Sequence, residues 1–148
     1  MPKLVFIGLC EKPIVNRDDS TLTLVTLIEE VTVSFDPDGA PEPEVIADRP
    51  TYLVTSWLAN EGDSERQFEQ VLEFCAPNGD VAMDRTVGFT IPARAHKIIA
   101  RFPGIPIGEQ GECIIRTSLR QLPDGEPKLF HEYPVLVKHE PKLPDDRS

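Results

Sequence analysis

Apolar and polar residues alternate along much of this chain with the period of two that a half-buried β-strand imposes. The clearest case is Arg66–Ile91. Phe68, Leu72 and Phe74 share one parity, while Gln67, Glu69, Glu73 and Cys75 share the other with Val71. After Pro77-Asn78-Gly79-Asp80 the pattern returns, with Val87, Phe89 and Ile91 alternating with Thr86, Gly88 and Thr90. Asn-Gly accepts the positive φ values of a two-residue hairpin turn, so the stretch predicts a β-hairpin. Its apolar parity, Phe68, Leu72, Phe74, Val87, Phe89 and Ile91, is expected to form one wall of a core.

Other segments repeat the signal. Lys3–Cys10 is apolar on both parities, as in a strand covered on both faces. Glu11–Ser20 is polar and turn-like. Thr21–Phe35 is ambiguous: Leu24, Leu27, Ile28, Val31 and Phe35 fit helical spacing, and Ser20 could cap a helix. Its β-branched residues favour strand. Two strands broken near Glu29-Glu30 are expected, with Val31, Val33 and Phe35 facing inward in the second. Asp36–Pro50 reads as a long loop. Thr51–Asn60 reads as a strand with Leu53, Thr55 and Trp57 on one face. Ala93–Phe102 is a short helix or an edge strand; as a strand it turns Ile98, Ala100 and Phe102 inward. Cys113–Leu122 turns Cys113, Ile115, Thr117 and Leu119 inward. A second hairpin turn at Pro123–Pro127 leads to Leu129–Val137, with Tyr133, Val135 and Val137 on one face.

Seven or eight short strands with turn signals between them predict an all-β fold: a two-sheet antiparallel β-sandwich, immunoglobulin-like, with at most one short helix. The 148 residues suit one domain with a real core, expected over 1–138 and followed by a polar tail over 139–148. Fifteen prolines and nine glycines fit many strand ends and few long helices.

Charge narrows the partners. A formal net charge of −10 repels phosphate, so nucleic acid is not expected as a partner. No apolar run reaches the ~20 residues of a membrane span. The apolar start, Leu4–Cys10, runs straight into Glu11-Lys12-Pro13 rather than small residues, and reads as the first strand of a cytoplasmic protein. Cys10, Cys75 and Cys113 are odd in number, widely spaced, and each set in an apolar strand pattern. Buried reduced thiols are expected, without a zinc or redox motif.

The order LVFIGLC, TLTLVTLIEEV, FEQVLEFCAPNGDVA and GECIIRTSLRQLPDGEPKLFHEYPVLV resembles a family of small bacterial proteins carrying a domain of unknown function. The likeness spans about residues 4–138 and also resembles immunoglobulin-like sandwiches in general. It implies an architecture and carries no catalytic residues with it.

Four constellations could carry chemistry. Asp36-Pro37-Asp38-Gly39 places carboxylates two apart before a glycine, as calcium loops do, but Asp-Gly is also ordinary turn chemistry and no closing Glu follows. His96, His131 and His139 lie on different elements; Cys113 with His131 would be a nucleophile pair only if paired strands brought them together. Arg94, His96, Lys97 and Arg101, with Arg85 nearby, form a basic stretch: Asp84–Arg101 holds four Lys/Arg and one acid. It contrasts with Glu29–Asp48, which holds seven acids and no Lys or Arg. The basic stretch is either a solvated strand face or a contact for an acidic partner, including the acidic loop of a second copy. Trp57, with Tyr52, Phe102, Ile105 and Ile107, is either core or an exposed contact patch.

With no catalytic motif and no cofactor implied, the expected role is non-catalytic protein–protein interaction or assembly in a bacterial cytoplasmic complex, with a protein partner or self-association and Arg94, His96, Lys97 and Arg101 as partner-binding residues. The alternatives are a small-ligand or Ca²⁺-binding sandwich and an enzyme with a dispersed site.

Overall fold

A computed structural model describes residues 1–16, 18–19 and 21–142. Among them are nine strands: β1 (Lys3–Val15), β2 (Leu22–Leu27), β3 (Glu30–Phe35), β4 (Thr51–Leu58), β5 (Gln67–Cys75), β6 (Val81–Thr90), β7 (Ala95–Phe102), β8 (Gly111–Gln121) and β9 (Lys128–Pro141). They form a four-stranded sheet, β2-β1-β4-β7, and a five-stranded sheet, β3-β9-β8-β5-β6. The all-β, two-sheet expectation holds. The purely antiparallel one does not, because β3 runs parallel to β9 and the larger sheet is mixed. The strand count also exceeds seven or eight: the segment that was ambiguous in sequence supplies two strands, β2 and β3, and residues 93–102 supply β7.

The core lies between the sheets. Leu9, Leu53, Ala100 and Phe102 of the smaller sheet meet Leu72, Phe74, Cys113, Ile115, Val135 and Val137 of the larger. A second cluster gathers Trp57, Phe68, Ile91, Ile98 and Leu119. Phe68, Leu72, Phe74 and Ile91 are fully buried, whereas Val87 and Phe89 are only half-buried because β6 is an edge strand. A polar layer separates the two clusters. Gln70 Oε1 accepts hydrogen bonds from Thr55 Oγ1 at 2.6 Å and Trp57 Nε1 at 2.8 Å, tying β4 to β5 across the core.

Several elements differ from expectation. Residues 93–102 contribute β7, so the only helical piece among the described residues is a 3₁₀ turn at Asp63–Glu65. The β5–β6 connection spans Ala76–Asp80, closed by Ala76 N–H to Asp80 O at 2.8 Å. It is longer than a two-residue turn, and only Gly79 takes a positive φ, 95°. β9 runs three residues beyond the expected end of the domain, through His139 and Glu140 to Pro141. Ser20, the possible cap, and the tail from Leu143 lie outside the described residues.

β1 is long because it serves two partners. Lys3–Cys10 pairs with β4, and Cys10–Val15 pairs with β2. Leu22 and Leu24 then share a cavity of about 380 Å³ with Phe6, Val54, Ser56 and Lys97. β2 and β7 are opposite edges of the sheet, so the β1–β2 arm must curl back over its outer face. That cover accounts for the burial of both parities of β4, whereas Val5 and Phe6 of β1 stay exposed, so the N-terminal strand is not covered on both faces along its length as its apolar pattern suggested.

Candidate strand-addition groove

The basic residues do not converge. Lys97 and Arg101 lie on the outer face of β7, opposite Ser56 and Tyr52 on β4. His96 has the other parity and stacks flat on Phe89, with ring centroids 5.2 Å apart. Burial pushes its pKa below the usual histidine value. Arg94 is exposed in the loop before β7. Lys97 has Asp19 of the arm within electrostatic reach. Glu30 of the acidic stretch is paired with Lys138 at 2.6 Å.

The other constellations also resolve into structure. Asp36–Gly39 is a tight turn, with Gly39 N–H donating to Asp36 O at 2.7 Å. Among the described residues, no group of three or more His, Cys, Asp or Glu converges. Cys113 pairs with Val135 while His131 pairs with Thr117, so strand register holds the thiol and the imidazole apart. All three cysteines are free and buried. Burial pushes the Cys113 thiol up to about 11, the reverse of an activated nucleophile. Trp57 is fully buried, edge-on to Phe130 at 5.0 Å.

The feature with the geometry of a binding site lies elsewhere, at the seam between the sheets. Each sheet has two edges: β2 and β7 in one, β3 and β6 in the other. On the β6–β7 side the seam is bridged. Arg85 on β6 donates from Nε to Arg101 O at 3.1 Å and lies over the Phe102 ring. On the other side a groove of about 490 Å³ runs along β3.

Five consecutive residues, Glu30 to Ser34, line this groove, and no β9 residue does. Alternate residues of a strand face opposite ways, so a consecutive run meets a groove only along the backbone edge. Hydrogen bonding identifies which groups are presented. Glu29 O accepts from Leu136 N–H at 2.9 Å and Phe35 O accepts from Lys142 N–H at 2.7 Å. In a parallel ladder of that phase, residues 29, 31, 33 and 35 direct their backbone groups to β9, and Glu30, Thr32 and Ser34 direct theirs into the groove.

Local sequence makes both walls. Near the end of β2, Thr26 has a φ of 57°, the only non-glycine residue in the left-handed region among the described residues and a strained position for a β-branched side chain. The chain passes to the other sheet over Ile28 and Glu29, between Leu27 paired with Cys10 and Glu30 paired with Leu136. Tyr133 Oη donates to Ile28 O at 2.9 Å and fixes the crossing. The facing wall is the loop at Ala47–Arg49. It is held by Ala47 N–H to Ile105 O at 2.9 Å and Ile107 N–H to Val45 O at 3.0 Å. Gly104 and Gly108 permit this approach, since a Cβ at either would collide with the backbone of residues 42–47. Ile28 and Ile105 are buried at the floor, with Val31, Val33 and Ile107 half-buried beside them. Arg49 and Glu11 form an ion pair on the rim.

Sequence reasoning recognised β3 and the inward parity of Val31 and Val33. It missed the groove, because the signal that β3 is an edge is only its uncharged middle, Val31–Phe35, between acidic ends. No family model and no curated protein matches this chain.

Proposed function

We propose that this protein is a non-catalytic protein-binding module that captures an extended segment of a partner by adding it as a strand to β3. The observation that carries this reading is the run Glu30–Ser34 along the groove, with three residues presenting backbone donors and acceptors to it. Strand addition takes its affinity from such main-chain hydrogen bonds and its specificity from pockets for alternate side chains. The apolar floor supplies those pockets. An edge left unblocked is costly to keep, because it invites aggregation, and here the opposite seam is bridged by Arg85 while this one is open.

The immunoglobulin-like reading belongs to the same proposal. It is supported by strand order: β1-β4-β7 follows the A-B-E order, and β9-β8-β5 the G-F-C order, of such sandwiches. The arm β2 and the edge strands β3 and β6 are additions to that plan.

The test is a library of random twelve-residue peptides panned against the native protein and against Thr32→Pro. Proline removes a groove-facing N–H and leaves the β9 ladder intact. Native protein enriches peptides with apolar residues at every second position, and Thr32→Pro does not. Enrichment that survives in a folded Thr32→Pro protein places binding on another surface and ends the proposal.

A further inference from the structure

We infer that the segment taken up by β3 carries Lys or Arg at both ends, roughly six positions apart, around an uncharged centre whose apolar residues alternate. This rests on the strand-addition reading and adds the chemistry of the partner to it.

The spacing follows from β3. Its six residues, Glu30–Phe35, extend about 20 Å at the rise of a strand. Acids stand at both ends, Glu29 just before it and Glu30 as its first residue, Asp36 and Asp38 after it, and the remaining residues Val31–Phe35 carry no charge. The facing wall begins in the same acidic stretch at Ala47 and ends at Arg49, so the charged side chains lining the groove are two acids, Glu11 and Glu30, against one cation, Arg49. Arg49 is engaged with Glu11 and Lys138 with Glu30, while Lys142 stands beside Phe35 at the far end of the strand. A groove of that sign, in a chain of net charge −10, favours a basic segment and disfavours an acidic one, both on approach and when bound.

The same charge argues against a second copy as the occupant. The basic edge of this chain is β7, and its Arg101 carbonyl is already taken by Arg85. The floor of Ile28, Ile105, Val31 and Val33 accepts the inward parity of the added strand, and the outward parity lies beside Thr32 and Ser34, where small polar residues suit it.

The experiment uses fluorescein-labelled peptides with a Val-Thr-Val-Thr-Val centre, flanked on both sides by two lysines, two serines or two glutamates. Each is titrated into the full chain and followed by anisotropy, at low salt and at about 0.5 M salt, where charge is screened within a few Å. The lysine-flanked peptide is expected to bind at least tenfold more tightly than the serine-flanked one at low salt, with glutamate flanks weakest, and the order collapses at high salt. The double variant Glu29→Lys/Asp38→Lys inverts the order, and Thr32→Pro, shown folded by circular dichroism, abolishes all binding. Equal affinity for lysine and serine flanks, lost in Thr32→Pro, overturns the charge inference and leaves strand addition standing. Binding by none of the peptides, or binding that survives Thr32→Pro, overturns both. Concentration-dependent dimerisation abolished by Thr32→Pro assigns the groove to a second copy and overturns the basic partner.

Discussion

At the scale of single residues, the core is specified by polar atoms as much as by apolar ones. Gln70 is fully buried, and its one carbonyl serves both Thr55 and Trp57. Gln70→Leu adds apolar volume but leaves a hydroxyl and an indole N–H buried without an acceptor. A loss of about 1–3 kcal/mol is expected, the cost of unsatisfied buried donors. Urea unfolding followed by the fluorescence of the single tryptophan, Trp57, measures it; unchanged stability would show that the layer does not depend on this carbonyl. Cys113 makes a second residue-scale prediction. Its thiol titrates near 9.0 when unfolded and at about 11 when folded. Between those values the unfolded chain holds fewer protons than the folded one, so stability falls as pH rises. The contribution is complete below pH 9 and is lost on passing 11. Cys10, Cys75 and Tyr133 are also shifted upward by burial and act in the same direction. Cys113→Ala, compared with the native protein at pH 8 and pH 10.5, isolates the share of this thiol as a shallower loss across the window.

At the scale of elements, the two parities of β3 have different duties, and proline distinguishes them. Val33→Pro removes an N–H that points at β9 and leaves a ladder carbonyl unpaired. It is expected to cost at least about 1–3 kcal/mol more than Thr32→Pro, whose lost N–H faces solvent in the groove. Equal unfolding midpoints for the two variants would show that the ladder phase is inverted. This division of labour was only partly legible in sequence. Alternation located β5, β8 and β9 and the buried parity of each, because one face of each meets the core and polar residues mark the other; it left β7 open between helix and strand, and it found β4 as a strand without showing that both its faces are buried. It located the break at Glu29-Glu30, because two acids cannot enter the interior. It could not show that β3 changes sheets, since the partner in a ladder is a long-range choice that leaves no local mark. Nor could it show that the β1–β2 arm folds over β4, because a strand covered on both faces looks the same whatever covers it. The basic stretch misled for a related reason: adjacent residues of a strand part to opposite faces, so Lys97 faces outward while His96 lies against Phe89.

At the scale of the whole molecule, the two seams of the fold are unlike. One is bridged by the Arg85 side chain, and the other exposes main-chain groups along β3. The groove was invisible in the sequence because its parts, residues 11, 26–34, 47–51 and 105–107, come from four separate stretches. The open seam has a consequence for any heat denaturation of this protein. A segment that seats there binds the folded chain and has nothing to hold in the unfolded one. At a hundredfold excess over its dissociation constant it adds about 2.7 kcal/mol to the folding equilibrium. For a chain of this size that is a rise in Tm of roughly 5–10 °C. A melting curve therefore doubles as a gauge of occupancy: candidate partner segments can be ranked by thermal shift alone, with Thr32→Pro as the protein whose transition should stay where it is.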